Sequence, residues 1–143
     1  MTADLFVTAA TVILVLIAIG MHFEVLRYLS ARLPRSRLPR RFRVGLVIVV
    51  AVATHLAESL VFALGIGLLL QGGYGEIDGP ISTARDVMYF SIVNYTSLGY
   101  GDLVPVGSLR ILCGVEALTG LVLIAWTASF TYVEMQRYWP VED

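Results

Sequence analysis

The chain has 143 residues, of which 57% are hydrophobic and 15% are charged, and its net charge is −1. A soluble domain of this size cannot bury so much apolar side chain, so we expect an integral membrane protein. The one cysteine, Cys113, lies in an apolar block and excludes a disulfide framework within the chain.

The first apolar block predicts a transmembrane helix in residues 1–28. The run from Leu5 to Gly20 is close to the ~18 residues that a membrane-spanning helix needs, and it continues without a break into Arg27. No basic region precedes it and no small-residue cleavage pattern follows it. We therefore expect a retained helix and not a signal peptide.

An arginine-rich linker, residues 29–43, follows and sets the orientation. Six arginines lie in this linker and Arg27 lies just before it, so seven of the chain's ten arginines fall between residues 27 and 43: Arg27, Arg32, Arg35, Arg37, Arg40, Arg41 and Arg43. Short basic loops stay cytoplasmic, which predicts an N-terminus outside and a C-terminus in the cytoplasm. Pro34 and Pro39 interrupt the linker, so it is no voltage sensor. Because it lies between two membrane blocks, we expect anionic lipid headgroups as its partners and no nucleic acid.

The remaining chain, residues 44–139, is expected to form one unit, with a short tail at 140–143. Residues 44–71 predict an outer helix, 72–81 an extracellular turret rich in glycine, and 108–136 an inner helix. Between them, residues 82–95 predict a short helix capped by Ser82 or Thr83, with Asp86 in its first turn. About twelve residues at ~1.5 Å each cannot cross a bilayer, so this helix must re-enter the membrane.

Residues 96–102 predict a cation-binding loop at the end of this half-helix. A dehydrated cation needs a cage of oxygens, and a backbone supplies one only when successive carbonyls point the same way. Alternate residues then take left-handed dihedrals, which glycine adopts without steric cost, as Gly99 and Gly101 can. Ser97 can add its hydroxyl oxygen, and the helix directs its negative C-terminal end at the cation.

These residues resemble the pore loop of the potassium channel family. The family motif is Thr-Thr-Val-Gly-Tyr-Gly-Asp, and the chain reads Thr96-Ser97-Leu98-Gly99-Tyr100-Gly101-Asp102, with Tyr89-Phe90-Ser91-Ile92 before it and Pro105 after it. The resemblance covers about residues 44 to 138 and is to the small bacterial members with two membrane helices. The N-terminal helix is an addition that the family does not explain.

The resemblance implies an all-α membrane protein: three transmembrane helices, a re-entrant pore helix and a filter loop per subunit, in a fourfold-symmetric homotetramer. It implies passive, selective conduction of K⁺ through the plasma membrane, with no cofactor other than the permeant ion and no enzymatic activity. The ion-binding residues would be Thr96, Ser97, Leu98, Gly99, Tyr100 and Gly101, through filter carbonyls and the Ser97 hydroxyl.

The resemblance also places residues around the filter. Tyr100 would brace the filter, and Asp102 would rim the outer mouth, although Asp102 can also pair with Arg110. Gly120 falls where the family has a hinge glycine in its inner helix. Gly114 and Gly120 fit close packing between membrane helices at least as well.

Three ionisable residues, His55, Glu58 and Glu116, lie inside the apolar blocks, where each charged group costs about 2.5–3.5 kcal/mol. Helix geometry puts Glu58 and Glu116 at comparable depths and His55 on the same face as Glu58. We expect one polar cluster behind the pore helix. It is either purely structural or gives conduction a pH response between about 5 and 8.

Other functions stay open on the sequence alone. Ser97 and Leu98 depart from the family motif, which permits a weakly selective monovalent cation channel, and a non-conducting accessory subunit is a further alternative. His55, Glu58 and Glu116 could also form the site of an intramembrane metal enzyme or a proton-coupled carrier, with His55 and Glu58 in the spacing His-x-x-Glu. This spacing lacks the second histidine of the zinc-protease helix motif, which disfavours the enzyme.

Overall fold

The computed structural model describes residues 2–138, apart from the side chains of Thr2 and Arg41. The helices are α1 (Thr2–Arg32), α2 (Arg40–Gln71), α3 (Ala84–Tyr95) and α4 (Leu109–Tyr138), with a 3₁₀ turn at Leu33–Arg35 and two short strands, β1 (Glu76–Asp78) and β2 (Val104–Val106). Three helical stretches are long and apolar enough to cross a membrane: Ala3–Arg35, Phe42–Gln71 and Leu109–Tyr138. The predicted mostly helical membrane fold is confirmed.

The linker between the first two membrane helices is shorter than the predicted residues 29–43. Helix α1 runs to Arg32 and continues as the 3₁₀ turn, while α2 begins at Arg40. Proline sets both limits: Pro34 lies in the first positions of the 3₁₀ turn, and Pro39, with φ −55° and ψ 144°, is the residue before α2. The predicted tail, residues 140–143, lies outside the described residues.

Helix α3 begins at Ala84, two residues after the predicted start, because Thr83 is its N-cap with an extended backbone. The Asp86 carboxylate accepts hydrogen bonds from the backbone N–H groups of Ser82 at 2.8 Å and Thr83 at 2.7 Å. These bonds hold the pKa of Asp86 below its usual value, so the carboxylate stays charged at the positive end of the helix. The first turn of α3 is thereby fixed.

A two-stranded antiparallel ribbon, which the sequence patterns did not predict, joins the turret to the segment after the filter. Ile77 of β1 pairs with Pro105 of β2. Just after β1, Gly79 has a φ of 129°, and a Cβ at this position would lie 2.6 Å from the carbonyl oxygen of Asp102. The turret therefore lies directly against the outer end of the filter loop.

Helix α1 packs against both α2 and α4 of the same chain. The main core contains fully buried side chains from the outer helix, the pore helix and the inner helix, among them Phe62, Ile66, Tyr95 and Leu112. A second cluster forms at the arginine-rich end, where the Arg43 guanidinium lies 5.0 Å above the Tyr138 ring. The core thus holds α3 inside a frame of three long helices.

Candidate functional site

The candidate site begins where α3 ends. Four backbone N–H groups after the helix donate hydrogen bonds back to its carbonyl groups: Thr96 to Ile92 at 3.1 Å, Ser97 to Asn94 at 2.9 Å, and Leu98 and Gly99 to Val93 at 2.9 and 3.3 Å. Helix and loop are therefore one continuous unit, with the negative end of the helix at the start of the loop.

The loop after α3 alternates in backbone handedness. Positive φ angles occur at Ser97 (58°), Gly99 (51°) and Gly101 (82°), every second residue. The two glycines were expected in this conformation, and Ser97 extends the pattern by one step towards the helix. Alternation of this kind turns successive carbonyl groups towards one side of the chain, which an ordinary strand does not do.

The outer end of the loop is held by a tyrosine of α3. The Tyr89 hydroxyl donates a hydrogen bond of 2.9 Å to the Asp102 carboxylate. This bond raises the pKa of Tyr89, since loss of its proton would place a second negative charge beside Asp102. Sequence reasoning suggested Arg110 as the partner of Asp102, whereas the hydrogen-bonded partner in the structure is Tyr89.

Gly120 of α4 lies against the end of the pore helix. A Cβ on Gly120 would lie 2.0 Å from the carbonyl oxygen of Tyr95 and 2.9 Å from its carbonyl carbon. A Cβ on Gly114 would meet no atom within 4 Å. Helix α4 continues unbroken through both positions. The structure therefore gives Gly120 a close-packing role, and the hinge role stays a prediction.

The buried polar residues form two networks rather than the one cluster that we expected. In the first network, Nδ1 of His55 lies 2.9 Å from Oε2 of Glu58, and the Tyr95 hydroxyl donates to the same oxygen. Nδ1 of His22, in α1, lies 2.8 Å from the other carboxylate oxygen, Oε1. The first network therefore joins the additional N-terminal helix to the last residue of the pore helix.

Glu116 of α4 belongs to the second network. Its carboxyl oxygens lie 2.5 Å from Oγ of Ser91 and 2.6 Å from Nδ2 of Asn94, both on α3. The Asn94 amide also donates to the Cys113 carbonyl at 2.8 Å. Within residues 2–138, none of the hydrogen bonds joins Glu116 to His55 or Glu58. Helix geometry predicted comparable depths for Glu58 and Glu116, but depth alone could not tell which side chains of α3 each carboxyl group meets.

Sequence reasoning missed five members of these networks: His22, Ser91, Asn94, Tyr95 and Thr127, whose Oγ1 lies 3.0 Å from Nε2 of His55. Ser91, Asn94 and Tyr95 were assigned to an apolar half-helix, and their polar groups were not matched to the buried carboxyl groups. His22 could have been found from the sequence. It is the other of the chain's two histidines, and it lies within a membrane block, where an ionisable residue needs a partner.

Comparison with known proteins gives one family match and two similar curated proteins. A family model described as "Ion channel" matches residues 46–137, from α2 through the filter to the end of α4. The chain is 33% identical over 84 residues to the inward rectifier potassium channel Kirbac3.1 of Paramagnetospirillum magnetotacticum, covering 58% of this chain and 28% of that protein.

A second similar protein is named as a peptidase and not as a channel. The chain is 35% identical over 81 residues to the lipoprotein signal peptidase of Rhodococcus jostii (strain RHA1), covering 57% of this chain and 41% of that protein. The chain thus spans less than half the length of the curated relatives that it matches. No solved structure matches.

The family model covers more than half of the chain and includes most of α2, the short helix α3 with the loop after it, and most of α4. Together with the match to a potassium channel, it confirms the resemblance that the filter residues carry. With three apolar helices long enough to cross a bilayer, the chain belongs to the ion channel family as a multi-pass membrane protein.

Proposed function

We propose that the chain forms a homotetrameric channel that conducts K⁺ selectively and passively down its gradient. The observation that carries the proposal is the alternation of left-handed backbone at Ser97, Gly99 and Gly101, immediately after a helix that is too short to cross the membrane. A carbonyl cage around K⁺ is built from four such loops, and each chain supplies one. Four chains around an axis are therefore needed.

The ligands for K⁺ are the backbone oxygens of residues 96–101, with the Ser97 hydroxyl at the inner end. In the single chain, Leu98 and Tyr100 are 56% and 67% exposed, which suits side chains that neighbouring subunits cover. Four copies of Asp102 would form a ring of carboxylates that concentrates cations at the outer mouth. No cofactor besides the permeant ion is required.

We propose that the protein lies in the plasma membrane with its N-terminus outside and its C-terminus in the cytoplasm, as the arginine-rich linker favours. Some linker arginines already bond within the chain: Arg43 donates to the carbonyls of Leu38 and Ser36, and Arg35 donates to that of Ala31. Arg37 and Arg40 are exposed and are the candidates for contact with anionic headgroups.

We propose no enzymatic role. The buried carboxyl groups of Glu58 and Glu116 are each engaged by hydrogen-bonding side chains of the first and second networks. The similarity to the signal peptidase covers less than half of that protein.

The test is ion flux through purified protein in liposomes, with K⁺ compared to Na⁺ and with bi-ionic reversal potentials. We expect K⁺ flux that Gly99→Ala abolishes, because a Cβ strains the left-handed backbone of the filter by about 1–2 kcal/mol in every subunit. Gly73→Ala is the matched control: Gly73 also has a positive φ (72°) and open space around its Cα, but it lies in the turret.

Each alternative has its own outcome in the same experiment. Equal permeability to K⁺ and Na⁺ would replace the selective channel by a weakly selective one. Absence of flux from a correctly folded wild-type tetramer would favour the accessory subunit. Loss of flux in Gly73→Ala to the same degree as in Gly99→Ala would contradict the assignment of the filter.

A further inference from the structure

Two histidines from different helices face each other at the first network. The rings of His22 in α1 and His55 in α2 are stacked, with centroids 5.4 Å apart and an interplanar angle of 29°. Both Nδ1 atoms contact the Glu58 carboxylate: that of His22 lies 2.8 Å from Oε1, and that of His55 lies 2.9 Å from Oε2. Both Nε2 atoms lie at Oγ1 of Thr127 in α4, at 3.3 Å for His22 and 3.0 Å for His55.

The single hydrogen of the Thr127 hydroxyl limits the protonation states of the two imidazole rings. The Thr127 hydroxyl has one hydrogen, so it can donate to only one of the two Nε2 atoms and must accept from the other. At least one ring therefore carries its proton on Nε2. The Nδ1 of that ring then directs either a second proton or a bare lone pair at an oxygen of Glu58, and a lone pair there would be repelled by the carboxylate.

A proton or a metal ion is therefore required between the Nδ1 atoms and Glu58. The surroundings reinforce this requirement: the side chains of Glu58 and His22 are 0% and 1% exposed, and that of His55 is 18% exposed. A buried carboxylate without a compensating cation is costly inside a membrane. A proton on an imidazole ring, a proton on the Glu58 carboxyl group or a bound metal ion meets this requirement.

We propose that His22 Nδ1, His55 Nδ1 and the Glu58 carboxylate form a binding site for a divalent transition metal of the Zn²⁺ type. The candidate ligand atoms of these three residues lie within 4.8 Å of one another. Small side-chain rotations bring them to the ~2.0–2.2 Å from a central ion that nitrogen and oxygen ligands of zinc adopt. Two imidazoles and one carboxylate favour Zn²⁺ or Co²⁺ over Mg²⁺ or Ca²⁺, which prefer oxygen ligands.

The groups around the three ligands fit this assignment. With both rings bound to metal through Nδ1, both Nε2–H groups donate to Thr127, whose oxygen has two lone pairs; this orients the rings as the outer hydrogen bonds of zinc histidines do. The Tyr95 hydroxyl, 3.1 Å from His55 Nδ1, borders the remaining coordination position.

The position of the site links it to the filter. Metal binding would tie α1 to α2, next to the Tyr95 hydroxyl, and Tyr95 directly precedes Thr96. Zn²⁺ is therefore expected to change K⁺ flux, an effect that rests on the proposed function, whereas the binding itself does not.

The experiment measures metal binding by purified full-length protein that carries no histidine tag, since His22 and His55 are the chain's two histidines. Zn²⁺ is titrated by calorimetry, and Co²⁺ is followed by its visible absorption, which reports four-coordinate nitrogen and oxygen ligation. We expect one ion per chain, removable by a chelator, and no binding of Mg²⁺.

Four variants locate the site. His22→Gln and His55→Gln should each weaken Zn²⁺ binding at least about 100-fold, while Thr127→Val, which removes only the outer hydrogen bonds, should weaken it about 10–100-fold. Glu24→Gln is the control: Glu24 is an exposed carboxylate of α1 that pairs with Arg27, and its loss should leave binding unchanged. Circular dichroism and size-exclusion chromatography check that each variant keeps its fold.

Wild-type protein that binds neither Zn²⁺ nor Co²⁺ would overturn the site and leave protons as the compensating charge. Folded His22→Gln and His55→Gln proteins that bind as tightly as wild type would overturn it equally. Protein that binds Co²⁺ at the histidines but passes no K⁺ would count against the proposed channel function and would leave the metal site standing.

Discussion

Ser97 is the residue at which the filter departs most from ordinary backbone preferences. Its φ of 58° makes it the one non-glycine residue with a positive φ in the part of the chain that the structure describes. A left-handed conformation costs a residue with a Cβ about 1–2 kcal/mol. The sequence predicts left-handed backbone at Gly99 and Gly101 because glycine favours it, but serine carries no such signal, so the conformation of Ser97 could not be predicted.

Substitutions of Ser97 distinguish the effect of its left-handed backbone conformation from the effect of its hydroxyl group. We expect Ser97→Gly to fold at least as stably as wild type, because glycine relieves the left-handed strain, and yet to lose K⁺ flux several-fold at low K⁺, because one oxygen ligand is gone. The measurement is liposome flux against K⁺ concentration. Ser97→Thr restores the hydroxyl and should restore flux, and equal flux in Ser97→Gly and wild type would show that the hydroxyl binds no ion.

At the scale of the elements, the contact of α4 with the end of α3 controls how closely the inner helix can approach the filter. We expect Gly120→Ala to destabilise the protein by about 1–3 kcal/mol, since its Cβ would overlap the rigid backbone of Tyr95. Gly114→Ala is the matched control and should stabilise α4 by up to about 1 kcal/mol through helix propensity. Thermal unfolding in detergent distinguishes the two, and a harmless Gly120→Ala would contradict the packing role.

The elements also show what a sequence can predict. The three membrane helices and the pore helix follow from apolar length and from the capping residues Thr83 and Asp86, which act locally. The β1–β2 ribbon depends on two three-residue segments that are distant in sequence, one of which contains Pro105, and no local pattern marks it. Burial of Glu58 beside His22 likewise depends on how α1 docks, which helix periodicity does not determine.

At the scale of the whole molecule, the orientation that we propose from the arginine-rich linker can be measured directly. In a Cys113→Ser background, we expect Glu76→Cys, in the turret, to react with a membrane-impermeant maleimide in intact cells. Leu38→Cys, in the linker, should react only after lysis. Both positions are exposed in the chain. The reverse labelling pattern would invert the proposed topology.

The additional helix α1 is integrated into the molecule and does not merely lie beside it. It packs on both flanking helices and contributes His22 to the network that ends at Tyr95. The family resemblance covers neither α1 nor its contacts, so the relation of α1 to the filter emerges only from the three-dimensional structure.

The ribbon has an electrical consequence for the assembled pore. In the proposed tetramer, the ribbon keeps Glu76 and Asp78 at the same mouth as Asp102, while eight of the ten arginines, all except Arg85 and Arg110, lie at the opposite end of the long helices. Cations enter a pore with one acidic and one basic mouth more readily from the acidic side than from the basic side. Its current–voltage curve should therefore rectify in dilute electrolyte and straighten near 1 M salt, where screening acts within ~3 Å.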